Sequence, residues 1–158
     1  MLNDITRHTD DNLGGLNAFK IVSAKAVTSL PSVVNGAIQH QLTLLPGHRW
    51  LSVYCTEFTM NYKEVPIDSE HGAAFKKTLT GKTPKDRAEL TQLFNEMKDQ
   101  GFIIDYTDNN GQRKLVGSPQ EPMYFKPALD TKAEMAQRNE HELVFEGEGI
   151  DKSPFYNI

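Results

Sequence analysis

The chain has 158 residues, 38% of them hydrophobic and 24% charged, with a formal net charge of −4. That size supports one domain around one core, and the acidic balance excludes a nucleic-acid grip made by overall basicity. Cys55 is the one cysteine, which excludes an internal disulfide, and no run approaches the roughly 18 apolar residues that span a bilayer.

Residues 1–16 are polar and end in the permissive pair Gly14-Gly15, which predicts an N-terminal arm. The start lacks the charge and apolar run of a signal peptide, so synthesis and folding in a cytoplasm are expected. A single β-rich domain is expected over 17–149, followed by a C-terminal tail over 150–158. Asn17 to Ala26, with Phe19, Ile21 and Val22, reads as the first strand; Pro31 and Asn35-Gly36 mark a connection.

Ile38, His40, Leu42 and Leu44 alternate with polar residues, the period-2 pattern of a half-buried strand. Leu45-Pro46-Gly47 then predicts a turn, with Arg49 to Cys55 returning as a hairpin that sets His40 across from about Val53. The run continues to Tyr62 with alternating faces, and Cys55 within it reads as a small buried hydrophobe. Lys63 to Gly72, with Pro66, Asp68 and Ser69, reads as a loop, and Ala73 to Thr80 as a strand.

One helix is predicted over about 86–100. Thr83-Pro84 offers a cap, Asp86 and Glu89 resemble a capping box, and Leu90, Leu93, Phe94 and Met97 form one apolar stripe assigned to the core. Gly101 reads as its stop. Phe102 to Tyr106 and Gln112 to Val116 flank Asn110-Gly111, the clearest hairpin signal in the chain. Met123 to Phe125 reads as a strand, Lys132 to Arg138 as one or two helical turns, and Glu140 to Glu146 as the last strand, with His141, Leu143 and Phe145 on one face. The fold class that follows is mainly β: an antiparallel sandwich or barrel with one inserted helix.

No catalytic signature emerges. The five histidines show no i, i+4 pair and no cysteine at zinc spacing, no G-x-S-x-G occurs, and the glycine pairs lack the context of a phosphate cradle. No catalytic residue, metal or cofactor is therefore assigned. Lys76-Lys77 and Arg113-Lys114 make no continuous phosphate track.

Glu140, Glu142, Glu146 and Glu148 share a parity and form a candidate acidic face. Neighbours at that spacing lie about 6.5–7 Å apart, which overlaps glycosidase carboxylate separations, but no pocket accompanies them. A solvated face is the plainer reading; the functional one is a surface that repels a polyanion and lets DNA slide past. Phe155 and Tyr156, with Leu13 and Leu16 at the other end, are candidate subunit-interface residues, because terminal aromatics either pack on the body or anchor in a neighbour.

Several stretches in order resemble one family. They are Ile67-Asp68-Ser69-Glu70-His71-Gly72, Leu79-Thr80-Gly81, the helix Arg87 to Lys98, and Phe102 through Gly111. Lys114 through Pro122, Arg138-Asn139 and Ser153-Pro154-Phe155-Tyr156 follow. Together they resemble bacteriophage and prophage tail structural proteins of tail-tube-like type, over about two thirds of the chain. The resemblance implies a β-sandwich or barrel flanked by one helix and assembled as a hexameric ring in the virion tail. It also implies no cofactor, no membrane, and partners that are further copies, neighbouring tail proteins and passing DNA bound without sequence preference. The alternative is a soluble non-catalytic adaptor acting on a host or phage protein.

Overall fold

The computed structural model describes residues 2–70 and 72–158. Strands hold 46% and helix 8% of the chain, which makes it mainly β, with one helix and a curled sheet that forms a half-barrel. His71, named among the histidines and in the 67–72 stretch, lies outside the described residues.

β1 (Leu16–Ser23) leads through a 3-10 turn (Ala24–Ala26) into β2 (Val27–Ser29), β3 (Ala37–Ile38), β4 (Thr43–Leu44) and β5 (Leu51–Val53). A long hairpin follows, β6 (Asn61–Ser69) and β7 (Gly72–Pro84), then the helix α1 (Ala88–Met97). β8 (Gly101–Asp108), β9 (Arg113–Val116), β10 (Met123–Asp130), β11 (Glu140–Gly149) and β12 (Phe155–Tyr156) complete the chain. The main sheet runs β3-β12-β9-β8-β10-β11-β7-β6, with β1 also paired to β8 and carrying β5 on its other edge, while β2 and β4 pair separately.

The curl is visible in one contact. β6 and β8 stand four strands apart in the sheet order, yet the rings of Tyr62 and Tyr106 meet at 4.8 Å. The Leu16 amide also donates to the Met60 carbonyl at 3.2 Å, bridging the open side where the arm enters β1. Inside the curl lies the larger core, with Phe145 at its centre: Phe125 at 5.0 Å, Phe19 at 5.9 Å and Phe102 at 6.1 Å surround its ring. Offset and edge-on ring contacts of this kind add to the area buried. Phe94 and Met97 of α1 close this core from one side.

β8 is buried on both faces over residues 102–106. Phe102, Ile104 and Tyr106 point into the larger core, whereas Ile103 points to a second one with Val22, Val27, Ile38, Leu42, Leu115 and Tyr156. That is why Phe102, Ile103 and Ile104 are consecutive apolar residues rather than an alternation, while buried Asp105 is paired with Arg113.

Several expected elements differ. No hairpin joins 38–44 to 49–55: β4 pairs with β2, β5 pairs with β1, and Val53 stands opposite Phe19, not His40. The alternation there reports burial of Ile38 and Leu42 in the second core, while their backbone groups bond to the C-terminal segment. The strand expected through Tyr54–Met60 is a pinned turn instead. Conversely, the loop expected over Lys63–Gly72 is mostly strand β6, because an edge strand tolerates Pro66. Residues 132–138 form bends around a single turn, in which the Gln137 amide donates to the Glu134 carbonyl at 3.1 Å, and no helix.

The helix is shorter than expected and capped differently. Its N-cap is Arg87, with no side-chain cap bond, while Thr83 and Pro84 still belong to β7 and Asp86 bonds His141 at 3.0 Å. Gly101 is not the stop; it opens β8, where a Cβ would lie 2.6 Å from the Pro122 ring. Within the stripe, Phe94 and Met97 are buried and Leu90 packs against the core, but Leu93 faces outward.

Candidate functional site

The four glutamates of β11 share one face, as their parity requires, but the neighbouring strands give that face an opposite complement. Glu142 stands across from Lys82 and Glu148 across from Lys76. Lys82 reaches Glu140 at 3.7 Å and Lys126 bonds Glu146 at 2.8 Å. That bond from Lys126 holds the Glu146 carboxyl below its ordinary pKa. The expected acidic surface is thus a mixed-charge one, because cross-strand pairing places lysines beside carboxylates. Sequence parity along one strand gives no sign of what the next strand contributes.

The proposed interface residues separate into two kinds. Tyr156 is buried in the second core and Leu16 in the larger one, so both are spent within their own chain. The segment expected as a tail is tied into the sheet: Phe155 pairs with Ala37 and Lys114, and Tyr156 with Ile38. Phe155 is partly exposed, with the Lys114 ammonium 4.9 Å from its ring centre. Leu13 is exposed; its amide donates to Asn110 Oδ1 at 2.7 Å, so the hairpin tip holds the arm at that point.

A half-buried polar cluster fastens the same C-terminal segment to β6. Glu64 Oε1 accepts from the Tyr62 hydroxyl at 2.6 Å and from the Ser153 amide at 2.7 Å, and the Tyr62 and Ser153 hydroxyls lie 2.8 Å apart. Burial pushes the Glu64 carboxyl up, but these hydrogen bonds and the Lys114 charge outweigh it and hold it below the usual carboxylate range. Burial drives Tyr62 strongly upward, so its phenol stays protonated. Nearby Lys77, 8% exposed, is pushed down by burial, against the pull of Glu64, Glu121 and Asp151.

Cys55 is buried 3.8 Å from the Thr83 hydroxyl, and burial raises its pKa, which disfavours the thiolate needed for nucleophilic chemistry. His141 is buried against Phe94 and Asp86. Among the described residues, no group of three or more His, Cys, Asp or Glu side chains converges as a metal set. No helix among them is long and apolar enough to cross a membrane.

Two surface features lie outside the sequence reading. The first is a pair of open sheet edges. Among the described residues, β6 has no partner beyond β7, and β10 pairs with β8 only at Met123 and Tyr124, leaving its edge open over 125–130. The second is an apolar groove of about 500 Å³ between α1 and β5, lined by Leu51, Val53, Leu90, Leu93 and Met97. Tyr54, 71% exposed, lines it too, and shares a separate hollow with Phe58, 92% exposed.

Phe58 adopts φ 63°, a left-handed conformation rare for an aromatic residue. The turn is held by Thr59, whose hydroxyl donates to the Thr56 carbonyl at 2.6 Å and accepts from the Lys82 amide at 3.3 Å. No glycine or Asn-Gly pair marks this turn in the sequence, so pattern reading passes over it.

Comparison with protein-family models, with curated proteins and with solved structures finds no match to this chain.

Proposed function

We propose that the chain is a structural subunit of a phage tail, of tail-tube or tube-like ring type, which assembles with identical copies into part of a DNA conduit. The observation that carries this reading is the pair of open edges on opposite sides of the four-stranded segment β10-β11-β7-β6. Consecutive strands in that segment are antiparallel, so β6 and β10 run in opposite directions. Rotation about a ring axis would set β6 of one copy antiparallel to β10 of the next. Such heterologous contacts generate closed rings when the rotation closes, and closure removes the edges that otherwise invite aggregation.

Pro66 and Pro127 each take one donor from an edge, which restricts pairing to particular registers. The mixed face of β11, β7 and β10 offers a passing polyanion no continuous cationic track. Six copies per ring, the virion location and the neighbouring tail proteins rest on the resemblance in the 67–156 stretches.

Sedimentation mass and electron microscopy of the purified chain test the reading. Rings or tubes are expected, with amides of 61–69 and 125–130 gaining protection from hydrogen exchange on assembly. A chain that stays monomeric at high concentration overturns it. Capture of one host protein by a monomeric chain would favour the adaptor reading instead.

A further inference from the structure

Resting on that reading of self-assembly, we propose that the groove between α1 and β5 receives the arm of a neighbouring copy, with Leu2 and Ile5 as the inserted side chains. Leu2 and Ile5 are wholly exposed in the single chain, and none of the described residues fills the groove. Two aliphatic side chains without cover and one apolar groove without an occupant are complementary halves of a contact. Burying them is favourable wherever geometry lets them meet.

Charge agrees with the pairing. Lys85 and Arg87 stand at the groove, both exposed and without an ion pair among the described residues, while Asp86 between them is engaged with His141. The arm carries Asp4 between its two aliphatic residues and Asp10 and Asp11 behind them, against Arg7 alone. An acidic arm entering a basic-rimmed groove is the complementary arrangement. Opposite potentials of this kind favour the right register over its reverse.

Reach agrees as well. The arm is tied to the body at Leu13 by Asn110. From there to Leu2 an extended chain covers roughly 35–40 Å, enough to cross onto an adjacent copy in a ring. Tyr54 adds an exposed aromatic ring to the groove lining, and large aromatic side chains contribute strongly to association.

The test is thiol cross-linking of the full chain, with sedimentation mass measured on the same samples. One preparation carries Ile5→Cys and another Leu93→Cys; Cys55 is buried and common to both. On mixing under mild oxidation, a covalent pair of two chains is expected. It should form at least about tenfold faster than with Leu45→Cys in place of Leu93→Cys, a position equally exposed but away from the groove and from both open edges, because residence in the groove raises the effective thiol concentration. Circular dichroism confirms that each variant is folded. Cross-linking no faster than the Leu45→Cys control overturns the proposal, and assembled mass then shows whether the ring reading survives without it. Closure within a doubly substituted chain at high dilution, with no cross-link on mixing, overturns it too by making the arm its own groove's occupant.

Discussion

The hydroxyl of Tyr156 accepts a hydrogen bond from the backbone amide of Leu42 at 3.1 Å, joining residues 114 positions apart. The Leu42 amide has no strand ladder to enter, and burial denies it water, so the phenol serves as its acceptor. The C-terminal segment is thereby a structural part of the second core, beneath β1 and β8, rather than an appendage. Tyr156→Phe leaves that amide unpaired at a cost of about 1–2 kcal/mol, and Tyr156→Ala also removes the ring, costing about 3–5 kcal/mol. Denaturant unfolding of the two variants checks the order. Deleting 154–158 is expected to unfold the second core, so loss of assembly after that deletion reports folding as well as docking.

Phe94 and Leu93 adjoin on α1 but have opposite fates. Phe94 is buried, with the Phe125 ring at 5.1 Å and the His141 ring at 5.0 Å, whereas Leu93 is 42% exposed at the groove. Phe94→Ala should cost about 3–5 kcal/mol. Leu93→Ser should stay within about 0.5 kcal/mol in the monomer, as surface changes usually do. Comparable losses for both in urea unfolding would place Leu93 in the core after all.

The fold was legible where a segment's partner is adjacent in sequence. Asn110-Gly111 identifies the β8–β9 hairpin, because Gly111 takes φ 80° and Asp108 Oδ1 accepts from the amides of Asn110 and Gln112, both at 2.9 Å. Leu90, Phe94 and Met97 identify α1 by helical spacing. Alternation in 38–44 and 49–55, by contrast, reports which side chains are buried but not against what. Ile38 pairs with Tyr156, and Leu51 with Ile21, at separations that a local pattern does not encode. Pro66 and Asp68 read as loop residues because their backbone lies at a sheet edge. The same limit hid the open edges and the groove, which exist only once distant strands have been brought together.

Gly81 and Cys55 form a tight pair. A Cβ on Gly81 would sit 2.8 Å from Cys55 Sγ and 3.3 Å from Met60 Cγ, beneath the step where the 54–60 turn crosses β7. Gly81→Ala should therefore destabilise by about 1–3 kcal/mol through overpacking. Cys55→Ala removes the obstructing sulfur, so the double variant should recover much of that loss. A double-mutant cycle by thermal unfolding measures the coupling, and strict additivity would show that the Gly81 backbone, not the sulfur, sets the cost. The buried thiol should also stay unreactive toward a disulfide reagent in the native protein and react on unfolding.

Glu64 sets an acid limit on the attachment of the C-terminal segment. Its hydrogen bonds from Tyr62 and Ser153 are stronger to the carboxylate than to the neutral acid, and they hold its folded pKa below the unfolded value despite burial. A group depressed in this way contributes stability above its unfolded pKa, about 4.3. The contribution is lost as pH falls through the lower, folded value, because protonation then precedes release of the bonds. Glu64→Gln removes the charge at every pH. At pH 7 it should cost about 1 kcal/mol, a figure reduced by the partial exposure of the site, and lower the midpoint by about 2–4 °C. The gap between variant and wild type should shrink as pH falls below the unfolded pKa and through the lower, folded value, where wild type loses the carboxylate. A gap that stays constant from pH 7 to pH 3 would show that Glu64 acts by packing, and that the segment over β6 is not held by its charge.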